Sequence, residues 1–293
     1  MTVNYAEASG HCGQLREFIL LSVLNTENLY TMYEHHAQSI ENIKNHLWAD
    51  PSVLALLLSG SIAHGFENAE SDVDILIVLS DEDYANLLSN GRRLTFKNFD
   101  LCTYEGGFFD GKYISIDFIR RVAARGSEPA RFGFEGAKVL FSRVEGLEQL
   151  LKEVVTYPVA EKRDRIVRFR AQLEGWHWYC SEAKRRDNPY LLSTAVSKLV
   201  LFGTRLVLAH NEMLYPFHKW MLKVLEQAPD KPDGMLECID QLCRNPTAER
   251  VETFYEMVKN FRDWEESPNG WGSQYMLDVE LNWMDGTTPV DDL

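Results

Sequence analysis

At 293 residues, 45% hydrophobic and 25% charged, the chain is long enough for two domains and has the balance of an ordinary soluble globular protein. The formal net charge is −14, and it is unevenly spread: residues 1–144 carry 12 Lys/Arg against 19 Asp/Glu, residues 145–262 carry 18 against 17, and residues 263–293 carry none against 8. That balance disfavours a nucleic-acid backbone as partner, no apolar run reaches bilayer-spanning length, and five cysteines without a Cys-x-x-Cys disfavour a disulfide framework or zinc site and suit a reducing, cytoplasmic setting.

Gln14 to Leu24 reads as a helix, and its apolar run Phe18–Leu24 has only Arg16 as a basic residue ahead of it, unlike a secretory leader. Asn25-Thr26 looks like an N-cap for a helix from Glu27 to Trp48, with Leu29, Met32, Tyr33, His36, Ile40, Ile43 and Leu47 at helical spacing. His36 lies on that apolar stripe and reads as a packed histidine. Asp50-Pro51 ends the helix. Val53–Leu58 reads as a strand running into Ser59-Gly60-Ser61, a polar loop follows, and Asp72-Val73-Asp74 opens a second apolar strand, Ile75–Leu79. Side chains at i and i+2 on a strand share a face, so Asp72 and Asp74 project together beside a Gly-Ser turn. Two like charges so close suit a pair of hard divalent cations.

Gly60-Ser61, ten residues and then Asp72-Val73-Asp74 resembles the signature of the nucleotidyltransferase superfamily related to DNA polymerase beta. The resemblance is sharp over 53–119 and looser beyond. It implies that Gly60 and Ser61 hold the terminal phosphates of a nucleoside triphosphate and that Asp72 and Asp74 bind Mg²⁺, two ions being expected. A third carboxylate on a neighbouring strand should complete the site. Asp117 is the candidate, in the alternating segment Lys112–Ile119. Many relatives carry a basic residue, often Arg, where this chain has His64, a departure to which no role is assigned.

Residues 81–91 read as a capped helix ending at Gly91, residues 94–103 as a strand, Glu105 to Gly111 as a turn, residues 112–119 as the strand bearing Asp117, and Ala137–Ser142 as a final strand. The fold class expected is α+β, with a mixed sheet of about five strands and flanking helices in residues 1–144. Arg120, Arg121, Arg125 and Arg131 offer contacts to a triphosphate or ordinary surface ion pairs.

From Val144 the apolar period is helical. Helices are expected over Gly146–Val155, Glu161–Asp187, Pro189 to about Asn211, Pro216–Gln227, Asp233–Cys243 and Pro246 to about Trp264. Short connections make residues 145–293 an antiparallel bundle with an acidic tail. The stretch Asn211–Trp220 resembles the part of small-molecule nucleotidyltransferases, such as the aminoglycoside adenylyltransferases, in which a helical domain sends a Lys to the nucleotide phosphates. Lys219 matches by position, and Lys198 is a second candidate. Trp178 falls off the apolar stripe and could line an acceptor pocket, while Glu174 and Glu182 could bind an acceptor amine.

The resemblance implies metal-dependent transfer of a nucleoside monophosphate, AMP from ATP or its equivalent from another NTP, to a hydroxyl of a small molecule of the aminoglycoside or lincosamide kind, with release of pyrophosphate. The alternative is a protein-AMPylating enzyme of the toxin–antitoxin kind. Minimal antitoxin versions are lone catalytic domains, so the helical half favours the first. The intact carboxylates argue against a nucleotide-binding module without catalysis. Neither nucleic acid nor membrane is expected as a partner.

Overall fold

The computed structural model describes residues 32–284 and 286. The expected helix over 14–24, the first turn of the one expected from Glu27, and the last residues of the acidic tail lie outside the described residues. From Met32 onward the chain makes one compact unit.

Its first part alternates strands and helices: α1 (Glu34–Trp48), β1 (Val53–Leu58), α2 (Gly60–His64), β2 (Val73–Leu79), α3 (Asp81–Ser89), β3 (Thr95–Asn98), β4 (Phe109–Ser115), α4 (Ile116–Arg125), α5 (Glu128–Phe132) and β5 (Lys138–Ser142). The strands form one mixed sheet in the order β3-β4-β2-β1-β5, with β2 and β4 parallel and the other pairs antiparallel. The near-continuous apolar runs of β1 and β2 are explained by burial on both faces. Leu56, Leu58, Ile75 and Ile77 pack with Ile40, Ile43 and Leu47 of α1. Ala55, Leu57, Leu76 and Val78 point the other way, into a cluster with Ile119 and Val122 of α4. Each fully buried Leu or Ile here contributes about 2 kcal/mol of apolar transfer.

Two local expectations are corrected. The strand expected over 112–119 sits earlier, and Ile116 begins a helix. Ser115 caps it, its hydroxyl accepting the Phe118 N–H at 3.0 Å. A Ser before an acidic first turn is a helix start, and here it outweighs the alternating pattern. The strand expected over 94–103 is only four residues long, because Asn98 turns the chain by accepting the Leu101 N–H at 3.0 Å.

Helices make up the rest: α6 (Leu147–Val155), α7 (Lys162–Arg185), α8 (Pro189–His210), α9 (Met221–Gln227), α10 (Met235–Arg244), α11 (Ala248–Lys259) and α12 (Gly270–Val279), with 3₁₀ turns at Val159–Glu161, at His218–Trp220 leading into α9, and at Asn282–Met284. Residues 186–188 turn α8 back along α7. The helix α8, 22 residues at mean hydropathy 1.6, is long and apolar enough to cross a bilayer, which corrects the expectation that no run reaches that length. Here Leu199, Leu206, Val207 and Leu208 lie in the bundle core. The helix expected from Pro216 starts later, at Met221, since Phe217 takes a left-handed φ of 69° with ψ −178°. The tail carries a helix, α12, that its Asn- and Gly-rich sequence does not signal.

Candidate active site

The site lies where β1 ends and β2 and β4 begin. Gly60 takes φ +66°, and a Cβ on it would overlap the carboxylate of Asp74. Only glycine meets both demands. The Ser59 N–H donates to the Asp74 carbonyl at 2.9 Å, which ties the turn to β2. Ser61 is buried in α2, and its carbonyl accepts the Phe66 N–H at 2.9 Å. The turn and the second aspartate are thus packed against each other, as the Gly-Ser…Asp-x-Asp spacing implies.

Asp72 stands just before β2 and Asp74 is its second residue. In the parallel β2–β4 ladder Asp74 is in register with Asp110. Residues in register across a ladder share a face, as do i and i+2 along a strand. Asp72, Asp74 and Asp110 therefore converge, with one carboxylate oxygen of each within 4.8 Å of the others. Burial, then the charges of Asp72 and Asp110, push Asp74 up to about 6, while Lys219 and Lys112 pull it back down. Three converging carboxylates, the middle one desolvated and disfavoured as an anion by its two neighbours, fit the donor set of hard divalent cations.

The surrounding loop is fixed. Asn68 Oδ1 accepts the Glu70 N–H at 2.9 Å, and the Asn68 N–H donates to Ser71 Oγ at 3.0 Å. The Tyr104 hydroxyl donates to the Ser71 carbonyl at 2.5 Å, and His35 Nε2 lies 3.0 Å from the Ala69 carbonyl. His36 is fully buried, edge-on to His35 and Tyr104. Burial, then His35, holds His36 below the ordinary 6.5.

Asp117, expected as the third carboxylate, is not in the cluster. It occupies the first turn of α4, where Oδ2 accepts from Arg121 Nε at 2.6 Å and its N–H donates to Asp81 Oδ1 at 2.8 Å. Asp110, read as part of a turn, stands in the expected position. Its signal was present: in Phe109-Asp110-Gly111-Lys112-Tyr113 the two charged residues alternate with non-polar ones, with Asp110 five residues ahead of the Ser115 cap. The Gly111 within that run is demanded by Phe96, whose Cβ would lie 2.9 Å from a Cβ placed there.

Of the two lysines, the structure brings only Lys219 towards the carboxylates, near enough for its charge to act on Asp74. Lys198 lines a separate cavity of about 950 Å³ between α5, α7 and α8, whose walls contain none of Gly60, Ser61, Asp72, Asp74 or Asp110. Trp176, not Trp178, reaches this cavity. Glu174 is taken up by Arg170 and by the Tyr255 hydroxyl, which donates to it at 2.6 Å, and Glu182 by Arg185 and Arg186. His64, at the position often basic in relatives, is stacked between Phe66 (5.3 Å, 15°) and Phe132 (4.7 Å, 10°). Burial holds it below 6.5, so it brings no charge to the site at neutral pH.

No curated protein matches the chain. Among solved structures it is similar to a nucleotidyltransferase-like protein from Exiguobacterium sibiricum 255-15, with 12% identity over 88% of this chain and 83% of that one and a TM-score of 0.44. The model of the polymerase beta nucleotidyltransferase family matches residues 41–108. That span holds the turn and the first two aspartates and stops two residues short of Asp110. Residues 41–108 thus match the polymerase beta nucleotidyltransferase family, and the three carboxylates are built on and just beyond that stretch.

Proposed function

We propose that the protein transfers a nucleoside monophosphate, AMP from ATP, to a hydroxyl of a small-molecule acceptor and releases pyrophosphate. The observation that carries this reading is the register of Asp74 with Asp110, which assembles three carboxylates against the Gly60-Ser61 turn. Asp72, Asp74 and Asp110 would hold Mg²⁺. Divalent ions bound there would neutralise the triphosphate and acidify the acceptor hydroxyl.

The chain's own groups divide the remaining work. The glycine turn lets backbone N–H groups approach the terminal phosphates without a Cβ in the way. Lys219 adds the positive charge that His64 does not supply. Asp110 accepts the proton of the acceptor hydroxyl as its oxygen attacks the α-phosphorus. The new oxygen–phosphorus bond forms as the bond to the β-phosphate oxygen breaks, and pyrophosphate carries that electron pair away. Positioning and charge neutralisation supply most of the rate.

A small-molecule acceptor is supported by the acidic balance, 12 Lys/Arg against 19 Asp/Glu over residues 1–144 and a net charge of −14. Such a surface suits a neutral or cationic acceptor. The test is incubation with α-labelled ATP, GTP, CTP and UTP and Mg²⁺ against aminoglycosides, lincosamides and cell-extract proteins. Label on a small molecule supports the reading. Label on a protein contradicts the acceptor class, and absence of pyrophosphate release with every NTP and acceptor contradicts the whole of it.

A further inference from the structure

The segment Tyr215–Trp220, which carries Lys219, has no regular structure until its 3₁₀ turn, yet it is tied at both ends to the same short helix, α5. At one end the Tyr215 N–H donates to Glu128 Oε2 at 2.8 Å. Glu128 is itself buried and held by Arg165 and by Arg205 Nη2, the latter at 2.9 Å. At the other end Trp220 rests on Phe66, with ring centroids 5.2 Å apart. Phe66 stacks on His64, and His64 on Phe132 of α5. Four aromatic rings thus run from α5 past the glycine turn to the helical half. Lys219 Nζ lies over the last of them, 5.0 Å from the centre of the Trp220 ring.

A lysine has four rotatable side-chain bonds, and holding it still costs about 2 kcal/mol of rotamer freedom. The face of an indole within about 6 Å of an ammonium offsets part of that through the cation–π attraction. Trp220 meets Phe66, whose N–H donates to the Ser61 carbonyl of the glycine turn, and its ring lies under the Lys219 ammonium. We propose that Trp220, seated on Phe66, is a positioning residue that holds the Lys219 ammonium for the terminal phosphates of the nucleotide. The assignment rests on the donor-site reading above. It also gives His64 a place: a flat, uncharged ring continues the stack, and a flexible basic side chain at that position would interrupt it.

The test uses calorimetric binding of Mg²⁺-tripolyphosphate, a probe that needs neither nucleobase nor acceptor. Trp220→Ala should weaken binding about ten-fold, and Trp220→Phe should restore it to within about two-fold of the wild type. Lys219→Met should weaken binding about ten-fold, and adding Trp220→Ala to it should cost nothing further, because a residue that acts through Lys219 has no effect once Lys219 is gone. Thermal midpoints of all variants are measured alongside. If Trp220→Ala does not fold, Phe66→Leu takes its place, with the same expectation. Wild-type affinity in Trp220→Ala, or losses that multiply in the double variant, overturns the assignment. Failure of the wild-type protein to bind the probe overturns the donor-site reading and this assignment with it.

Discussion

Two acidic sites in this protein, one buried and one half-buried, show opposite treatments of the same chemistry. Glu128 is 3% exposed and every oxygen has a partner: Arg165 and Arg205 on one, the Tyr215 N–H on the other. Asp72, Asp74 and Asp110 converge, and burial, then the charges of the other two, push Asp74 up to about 6. A buried carboxylate with its partners in the chain is part of the architecture. Half-buried carboxylates that converge without such partners among the described residues suit a cation the chain does not itself supply.

Substitutions should break that comparison in opposite directions. The largest effect is expected for Asp74→Asn, which should lower NTP-dependent pyrophosphate release by about 10³-fold or more, since the charge that organises the donor is lost. In metal-free buffer the same variant should gain stability, by about 1 kcal/mol, because one source of repulsion is removed. Near-normal turnover in this variant would sink the mechanism. Glu128→Gln should do the reverse to the fold: about 3 kcal/mol of stability lost in urea denaturation, because two guanidinium groups lose a buried counter-charge. Arg165 keeps Glu161 as a partner, so the loss should fall at the low end of the range for broken buried pairs. A loss below about 1 kcal/mol would mean that Glu128 does not anchor the Lys219 segment.

A smaller effect concerns pH. Burial holds His64 below its ordinary 6.5. Where the native pKa is depressed, the unfolded chain binds the proton first, so stability is complete above about 6.5 and falls as the pH drops towards the native value. The slope from one such group is at most about 1.4 kcal/mol per pH unit. His64→Phe keeps a stacked ring and should flatten this acid limb in thermal melts between pH 7 and 5. An unchanged limb would show that His64 is not buried as a neutral ring.

Much of the donor half was legible in the sequence because its signals are local. The strand–turn–strand around Gly60 and the pair Asp72 and Asp74 need only period-two alternation and one glycine. The third carboxylate was misplaced because two patterns overlap within eleven residues. Phe109 to Ile119 can be read as one long alternating strand, or as a strand that Ser115 ends by capping a helix. Choosing between them requires knowing that β4 pairs with β2 in parallel, a long-range fact. Asp110 also follows a glycine-rich stretch, Glu105-Gly106-Gly107, that reads as turn. Lys219 and Lys198 were equal candidates by residue type, and what distinguishes them is long-range: the charge of Lys219 acts on Asp74, while Lys198 lines the cavity between α5, α7 and α8. The ring stack through His64 was not legible at all, because Phe66, Phe132 and Trp220 are brought together by packing between elements far apart in the chain.

The most direct test of the central claim sets Asp110 against Asp117. Mn²⁺ binding, followed by electron paramagnetic resonance in the wild-type protein, Asp110→Asn and Asp117→Asn, reads the metal site without acceptor or nucleotide. The account predicts that Asp117→Asn binds like the wild type, its carboxylate being engaged with Arg121, and that Asp110→Asn binds at least about ten-fold more weakly. Unchanged Mn²⁺ affinity in Asp110→Asn, or its loss in Asp117→Asn, would contradict the account.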